Sequence, residues 1–203
     1  MPKPKVRLSG KEKSLESIWS WYEDQVVALK DYKNKIFSLR SSSPPISDFK
    51  FKEYSTDELD KYFDQSQEEL EQLFCLDIIA ATEALLKRNY FKRVYRLERK
   101  YQKDNSGLSQ IFRKIFAGRK LIDQEDKVRL KEDIIENWKN NVNIIDKEFF
   151  SRYLGILHYR HWLAHGLYWK SPTQKYLPND AYEIAKEIFR IVNLQIIFFI
   201  DRE

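Results

Sequence analysis

Apolar residues in this chain recur at helical spacing over stretches too long for strands. Leu70, Phe74, Ile78, Ala81 and Leu85 make one stripe, and Leu86, Tyr90, Val94, Leu97 and Tyr101 carry it on. Residues three and four apart share a helix face, whereas a half-buried strand would alternate at every second position. Turn-formers are too scarce for a sandwich or barrel, with 5 Gly and 6 Pro in 203 residues. An all-α fold, a helical bundle, is therefore predicted, without strands or internal repeats.

The first helix is expected from about Lys11 to Leu39, on Leu15, Ile18, Tyr22, Val26, Leu29 and Ile36. Ser41-Ser42-Ser43-Pro44-Pro45-Ile46-Ser47 interrupts it, since proline removes a donor and clashes with the preceding turn. Residues 1–55 read as an N-terminal extension, a tail plus this helix, and residues 56–203 as the main helical domain. Thr56 or Asp57 can cap the next helix, which is expected to reach about Tyr101 with a kink or break near Asp64–Gln67 or Asn89. A short helix follows over about Leu108–Phe116, closed by Gly118. Another spans Gln124–Asn140, with Val128, Ile134, Ile135 and Trp138 inward. Asp146 can cap a helix ending near Ala164. Asn179 or Asp180 can cap the last one, which runs to about Ile200 with Ile184, Ile188, Ile191 and Leu194 on one face.

Several classes are disfavoured. The most apolar run, Ile191–Ile200, contains Asn193 and Gln195 and is far short of the ~20 residues that span a bilayer, so no membrane partner is expected. The basic start, Met1-Pro2-Lys3-Pro4-Lys5, precedes no apolar stretch, so no secretory signal is expected. Cys75 is the single cysteine and can form no internal disulfide, which fits a reducing, cytoplasmic setting. Charge is uneven. Between Lys87 and Lys103 eight cations face Glu98 alone, a net +7 that leaves −2 for the rest of a +5 chain. Arg88, Lys92, Arg96, Arg99 and Lys103 fall at helical spacing opposite the apolar stripe. A single-sign stripe of this kind is a candidate phosphate track for RNA; the plainer reading is a solvated helix face.

The densest chemistry lies in Tyr159-Arg160-His161-Trp162-Leu163-Ala164-His165-Gly166, and all three histidines (His158, His161, His165) fall in or beside it. A guanidinium is a fixed fork of donors suited to phosphate, and an imidazole exchanges protons near neutral pH. On an ideal helix Arg160 and His165 are ~140° apart, so they converge only if the helix ends or distorts near Ala164. The alternative is an ordinary C-terminus, with histidine offsetting the helix dipole and Gly166 in the left-handed position. His158, His161 and His165 share a face, but no carboxylate adjoins them and three ligands on one straight helix rarely converge, so no metal site is expected. Glu83 and Lys87 make an i,i+4 pair, common on exposed helices. A buried Glu83 would need a partner, for which Arg160 is the candidate.

Together these residues carry a resemblance. Arg160-x4-His165, with His161 after the arginine and Ala164-His165-Gly166 at the end, resembles the Arg-x4-6-His motif of the HEPN superfamily. These are small helical domains, many of them RNA-cleaving toxins or phage-defence nucleases. Glu83-x3-Lys87 is similar to the Glu-x3-Lys/Arg motif that such families often carry on an early core helix. The resemblance spans about residues 68–200 and leaves the N-terminal helix and residues 107–140 unexplained. It implies a HEPN-type bundle and a metal-independent endoribonuclease without cofactor, acting on RNA as a toxin or anti-phage RNase. It also implies a homodimer with the active site at the protomer interface, and an antitoxin or regulatory partner. In that scheme His165 is the general acid/base, Arg160 holds the phosphate, His161 assists, and Glu83 and Lys87 organise the site. In a subgroup a tyrosine two residues after the motif histidine is modified by a partner; here Leu167 takes that place and Tyr168 follows. Tyr168 and Trp169 either stack on a base or fill core. Two alternatives stay open: a non-catalytic HEPN-like module that binds nucleotide, RNA or a protein, and a helical interaction protein.

Overall fold

The computed structural model describes residues 13–41, 50–97, 99–102, 104, 106–121, 127–164 and 176–197, and every regular element among them is helical. In chain order these are α1 (Leu15–Arg40), α2 (Thr56–Tyr95), the single turn α3 (Arg99–Gln102) and α4 (Gly107–Leu121). A π-helical turn (Leu130–Ile135) then leads into α5 (Glu136–Lys139), followed by α6 (Ile144–Ala164) and α7 (Pro178–Ile197). Among the described residues no helix is long and apolar enough to cross a membrane.

The bundle is built around α2, which packs against α1, α4, α6, α7 and the π turn. Its inward residues Phe74, Cys75, Ile78, Ile79, Leu85, Leu86 and Tyr90 are buried, as the stripe requires. They meet Leu15 and Ile18 of α1, Phe112 of α4, Trp138 of α5, Phe150, Tyr153 and Ile156 of α6, and Ile184, Ile188 and Ile191 of α7. Each such large apolar side chain contributes about 1.5–3 kcal/mol when withdrawn from water. A second, smaller cluster of Ile36, Phe51, Leu59 and Phe63 pins the end of α1 to the start of α2. Lys33 reinforces it with an ion pair to Asp60 at 2.7 Å. Burial raises the Cys75 thiol to about 12, assisted by the nearby Glu71 charge.

Helix ends differ from the sequence-based expectations in instructive ways. Ser55, not Thr56 or Asp57, caps α2: its hydroxyl accepts from the Glu58 N–H at 3.2 Å, and the Glu58 carboxylate accepts from the Ser55 N–H at 2.7 Å. This capping box fixes the start one residue earlier than the sequence indicated. The helix then runs unbroken past Asp64–Gln67 and Asn89. It stops at Tyr95 rather than Tyr101, because Arg96 turns left-handed with φ 52°. Leu97 consequently leaves the apolar stripe and is 44% exposed. Ser14 caps α1, so that helix begins a turn later than expected.

α4 passes through Gly118 and continues to Leu121; an added Cβ at Gly118 would meet nothing, and nothing there obliges the helix to end. In the expected Gln124–Asn140 helix, residues 124–126 lie outside the described ones, 127–129 are not helical, and the rest divides into the π turn and α5. Ile134, Ile135 and Trp138 do point inward, all fully buried. Asn137 supports the π register by donating to the carbonyls of Glu132 and Asp133 at 3.2 and 3.1 Å. Asn143 rather than Asp146 caps α6, its side-chain oxygen accepting the Asp146 N–H at 2.8 Å. α7 begins at Pro178, before Asn179 and Asp180, as suits a residue with no N–H to satisfy in the first turn. The segment expected beyond Ile197 lies outside the described residues.

Candidate functional site

Two helices carry Glu83, Lys87, Arg160 and His161, and a tyrosine bonds one of those helices to the other. Tyr153 of α6 is 1% exposed and donates its hydroxyl to the Ile79 carbonyl of α2 at 3.2 Å. Ile79 lies one turn before Glu83, and Tyr153 lies two turns before Arg160, so this bond fixes the height at which the two side chains face each other. Burial pushes the Tyr153 phenol well above its usual range, with the Glu83 charge adding and the Arg160 charge opposing. The sequence reading passed over Tyr153. Its only signal was a tyrosine on the inward face of α6, in register with Phe150 and Ile156.

At the crossing the Glu83 carboxylate lies 2.6 Å from the Lys87 ammonium and 3.9 Å from the Arg160 guanidinium. The side chains are 20% (Glu83), 40% (Lys87) and 42% (Arg160) exposed. The arginine contact is too long for a hydrogen bond, so it draws the guanidinium in without engaging its N–H donors on Glu83. One carboxylate between two cations leaves a positive excess facing solvent, a local field that favours an anion. As stabilising elements both pairs are weak: about 0.2–0.5 kcal/mol for the pair along the helix and at most about 1 kcal/mol for the exposed cross-helix pair.

His161 follows Arg160 on α6 and is exposed, as is His158. Tyr159 between them is buried, with its ring stacked on Trp162 at 5.8 Å and tilted against Tyr176 at 6.0 Å. Ala164 is the last described residue of α6, so His165, Gly166 and Tyr168 lie outside the described residues. The chain is described again at Tyr176, whose carbonyl accepts the Cys75 S–H at 3.7 Å. The Tyr176 hydroxyl rests against α6 at Gly155, in the space a Cβ would fill. Tyr176 is thereby seated against both α2 and α6.

The basic segment divides. Arg88 and Lys92 are half-buried on α2, and Arg96 is exposed at the helix end, donating to the Gln102 carbonyl at 3.2 Å. Arg99 opens α3; its side chain and all of Lys103 lie outside the described residues. With α2 ending at Tyr95, the five cations do not follow one continuous helix. Arg93 is not a surface cation at all. It is 1% exposed, pairs with Asp104 at 2.9 Å, and donates to Asn89 and Ser109, each bond 2.8–2.9 Å. The rings of Tyr101 and Trp138 flank its guanidinium at 5.5 and 5.4 Å. One of the eight cations counted from the sequence is thus a core strut tying α2 to α4 and α5. Its place one turn after Asn89, flanking the apolar stripe, was the available signal.

Among the described residues no three His, Cys, Asp or Glu side chains gather as a metal-binding group. No protein-family model, curated protein or solved structure matches this chain.

Proposed function

We propose that this protein is a metal-independent endoribonuclease of the HEPN type, a cytoplasmic toxin or anti-phage RNase active as a homodimer and held in check by an antitoxin or regulatory partner. The observation that carries the reading is the meeting of two short motifs from distant parts of the chain. Glu83 of one, paired with Lys87, lies 3.9 Å from Arg160 of the other, which is consistent with two motifs that the resemblance puts near each other. The ion pairs add little to stability, whereas a positive excess at an open helix crossing suits a phosphate.

In this reading Arg160 holds the scissile phosphate and offsets the charge that builds on its oxygens. Glu83 draws the guanidinium toward α2, and Lys87 holds the carboxylate in place. His165 transfers the proton, and His161 is an auxiliary polar group. The 2′-oxygen attacks phosphorus as its proton leaves, the bond to the 5′-oxygen breaks, and that oxygen takes up a proton. The products carry a 2′,3′-cyclic phosphate and a 5′-hydroxyl. Arg88, Lys92, Arg96, Arg99, Lys103 and Tyr168 are proposed RNA contacts outside the reacting centre.

The test is cleavage of total RNA and tRNA in excess EDTA by wild type, His165→Ala and Arg160→Gln. Cleavage by wild type alone, with cyclic phosphate ends, supports the assignment. Undiminished cleavage by His165→Ala would remove that residue from the chemistry, and loss of wild-type cleavage in EDTA would rule out the metal-independent route.

A further inference from the structure

Among the described residues an apolar patch is bare where α6 begins and α7 ends. Ile144 and Ile145, the first two residues of α6, are 88% and 73% exposed. A cap holds them there. The Asn143 side chain accepts the Asp146 N–H, and the Asn143 carbonyl accepts the Lys147 N–H at 2.9 Å. Asp146 is tied in turn to Arg190 of α7 at 2.8 Å. Leu97, exposed just past the end of α2, adds a third apolar side chain, and its N–H returns to the Lys92 carbonyl at 3.2 Å. Single exposed apolar residues are ordinary on a protein surface, but three held at one end of a bundle are a patch.

We propose that Phe198-Phe199-Ile200, which follow the last described turn of α7, dock on this patch and cover it. The helix delivers them there. α6 and α7 are antiparallel: Tyr176, ahead of α7, meets Gly155, and Arg190 meets Asp146 nine residues earlier on α6. From Arg190 to Ile197 the helix rises ~10 Å, which carries the chain past Ile144 at the start of α6. α2 and α7 are parallel: Trp19 touches both Phe74 and Tyr182, and farther along Leu85 and Asn89 share a cleft with Phe189 and Val192. Continued at that pitch, Ile200 comes level with Leu97. On the helical repeat Phe198 follows Arg190 and Leu194 on the side toward α6, and Phe199 follows Val192 on the side toward α2. Helix side chains lean toward the N-terminus, so Ile144 and Ile145 lean toward the arriving segment. Phe198 therefore meets the two isoleucines, and Phe199 and Ile200 turn toward Leu97. The contact ties the end of α7 to the start of α6 and does not require the protein to cleave RNA.

Cysteine pairs introduced into the full chain test this, since Cys75 is buried and does not compete. With Ile145→Cys and Phe198→Cys, mild oxidation should form a disulfide within one chain. It should form about tenfold or more faster than with Ile145→Cys and Lys61→Cys, which lie toward opposite ends of the bundle, because a disulfide needs its two Cβ atoms close together. Thermal unfolding gives the second readout. Serine at a bare surface position is close to neutral. If the segment covers the patch, Ile145→Ser and Phe198→Ser should instead each lower Tm by about 3 °C or more. The double variant should lose less than the sum, because both changes remove one contact. A disulfide joining two chains would seat a second copy on the patch and overturn the proposal. So would a bond that forms no faster than the control pair, or a Tm that neither serine moves, either of which leaves the patch to another partner.

Discussion

Arg160 of α6 stands 3.9 Å from Glu83 of α2, close enough to feel the carboxylate and too far to hydrogen-bond to it. With Arg160 42% exposed, solvent screens most of the attraction. A double-mutant cycle with Glu83→Gln and Arg160→Gln, read by urea unfolding, should therefore give a coupling below about 1 kcal/mol. RNA cleavage by Arg160→Gln should fall by about a hundredfold or more, as on losing a donor to transition-state charge. A coupling of several kcal/mol with unchanged cleavage would make the pair a structural strut instead.

Arg93 should behave in the opposite way. Replacing it with Leu leaves Asp104 buried without its charge partner, and removing one side of a buried pair costs about 3–5 kcal/mol. Arg88→Gln, one helix face away, should shift stability by no more than about 0.5 kcal/mol. Equal small effects at both positions in denaturant melts would contradict the assignment of Arg93 to the core.

Asp104 makes stability depend on acid. Burial by itself would raise its carboxyl. Hydrogen bonds from the Ser109 and Ser106 hydroxyls and the Ser106 N–H, together with the Arg93 charge, outweigh burial and hold it below the usual carboxylate range. A carboxyl lowered in the folded state contributes stability that is present above the unfolded value and is lost as pH falls through the folded one. Wild type should therefore be more stable than Asp104→Asn at pH 7. The gap should narrow once pH falls below about 4, the ordinary aspartate range. Unfolding free energies across pH 7 to 3 measure this, and a gap that stays constant would exclude Asp104 as its source.

Gly155 makes room for Tyr176. A Cβ there would run into the Tyr176 hydroxyl, with the ring carbon that bears it 3.3 Å away. Alanine usually favours a helix over glycine by about 1 kcal/mol, yet Gly155→Ala should lower Tm, because overpacking costs about 1–3 kcal/mol. Adding Tyr176→Phe should recover part of the loss, since the hydroxyl makes the nearest contact. A higher Tm for Gly155→Ala would mean that Tyr176 is not seated there.

The sequence made the helices legible because their signals are local. Apolar spacing located α1, α2, α6 and α7 to within a turn or so at most ends, and correctly turned Ile134, Ile135 and Trp138 inward. It failed at the caps. Ser55, Asn143 and Pro178 start helices where neighbouring candidates looked equally able, because a cap depends on backbone angles that composition does not encode. It also missed the end of α2. Arg96 has neither the glycine nor the proline that usually marks a stop, and its left-handed conformation accompanies a bond to Gln102 beyond the turn.

By itself the sequence determined an all-α chain, the faces its helices bury, and which residues have acid–base or anion-binding chemistry. Those properties follow from a 3.6-residue repeat and from side-chain type, both fixed within a few positions. Only the tertiary structure decided that Glu83 meets Arg160, that Tyr153 sets the height of that meeting, and that Arg93 leaves the basic stripe for the core. Each depends on how one helix crosses another. That is set by the packing of side chains distant in sequence, and no spacing along a single helix records it.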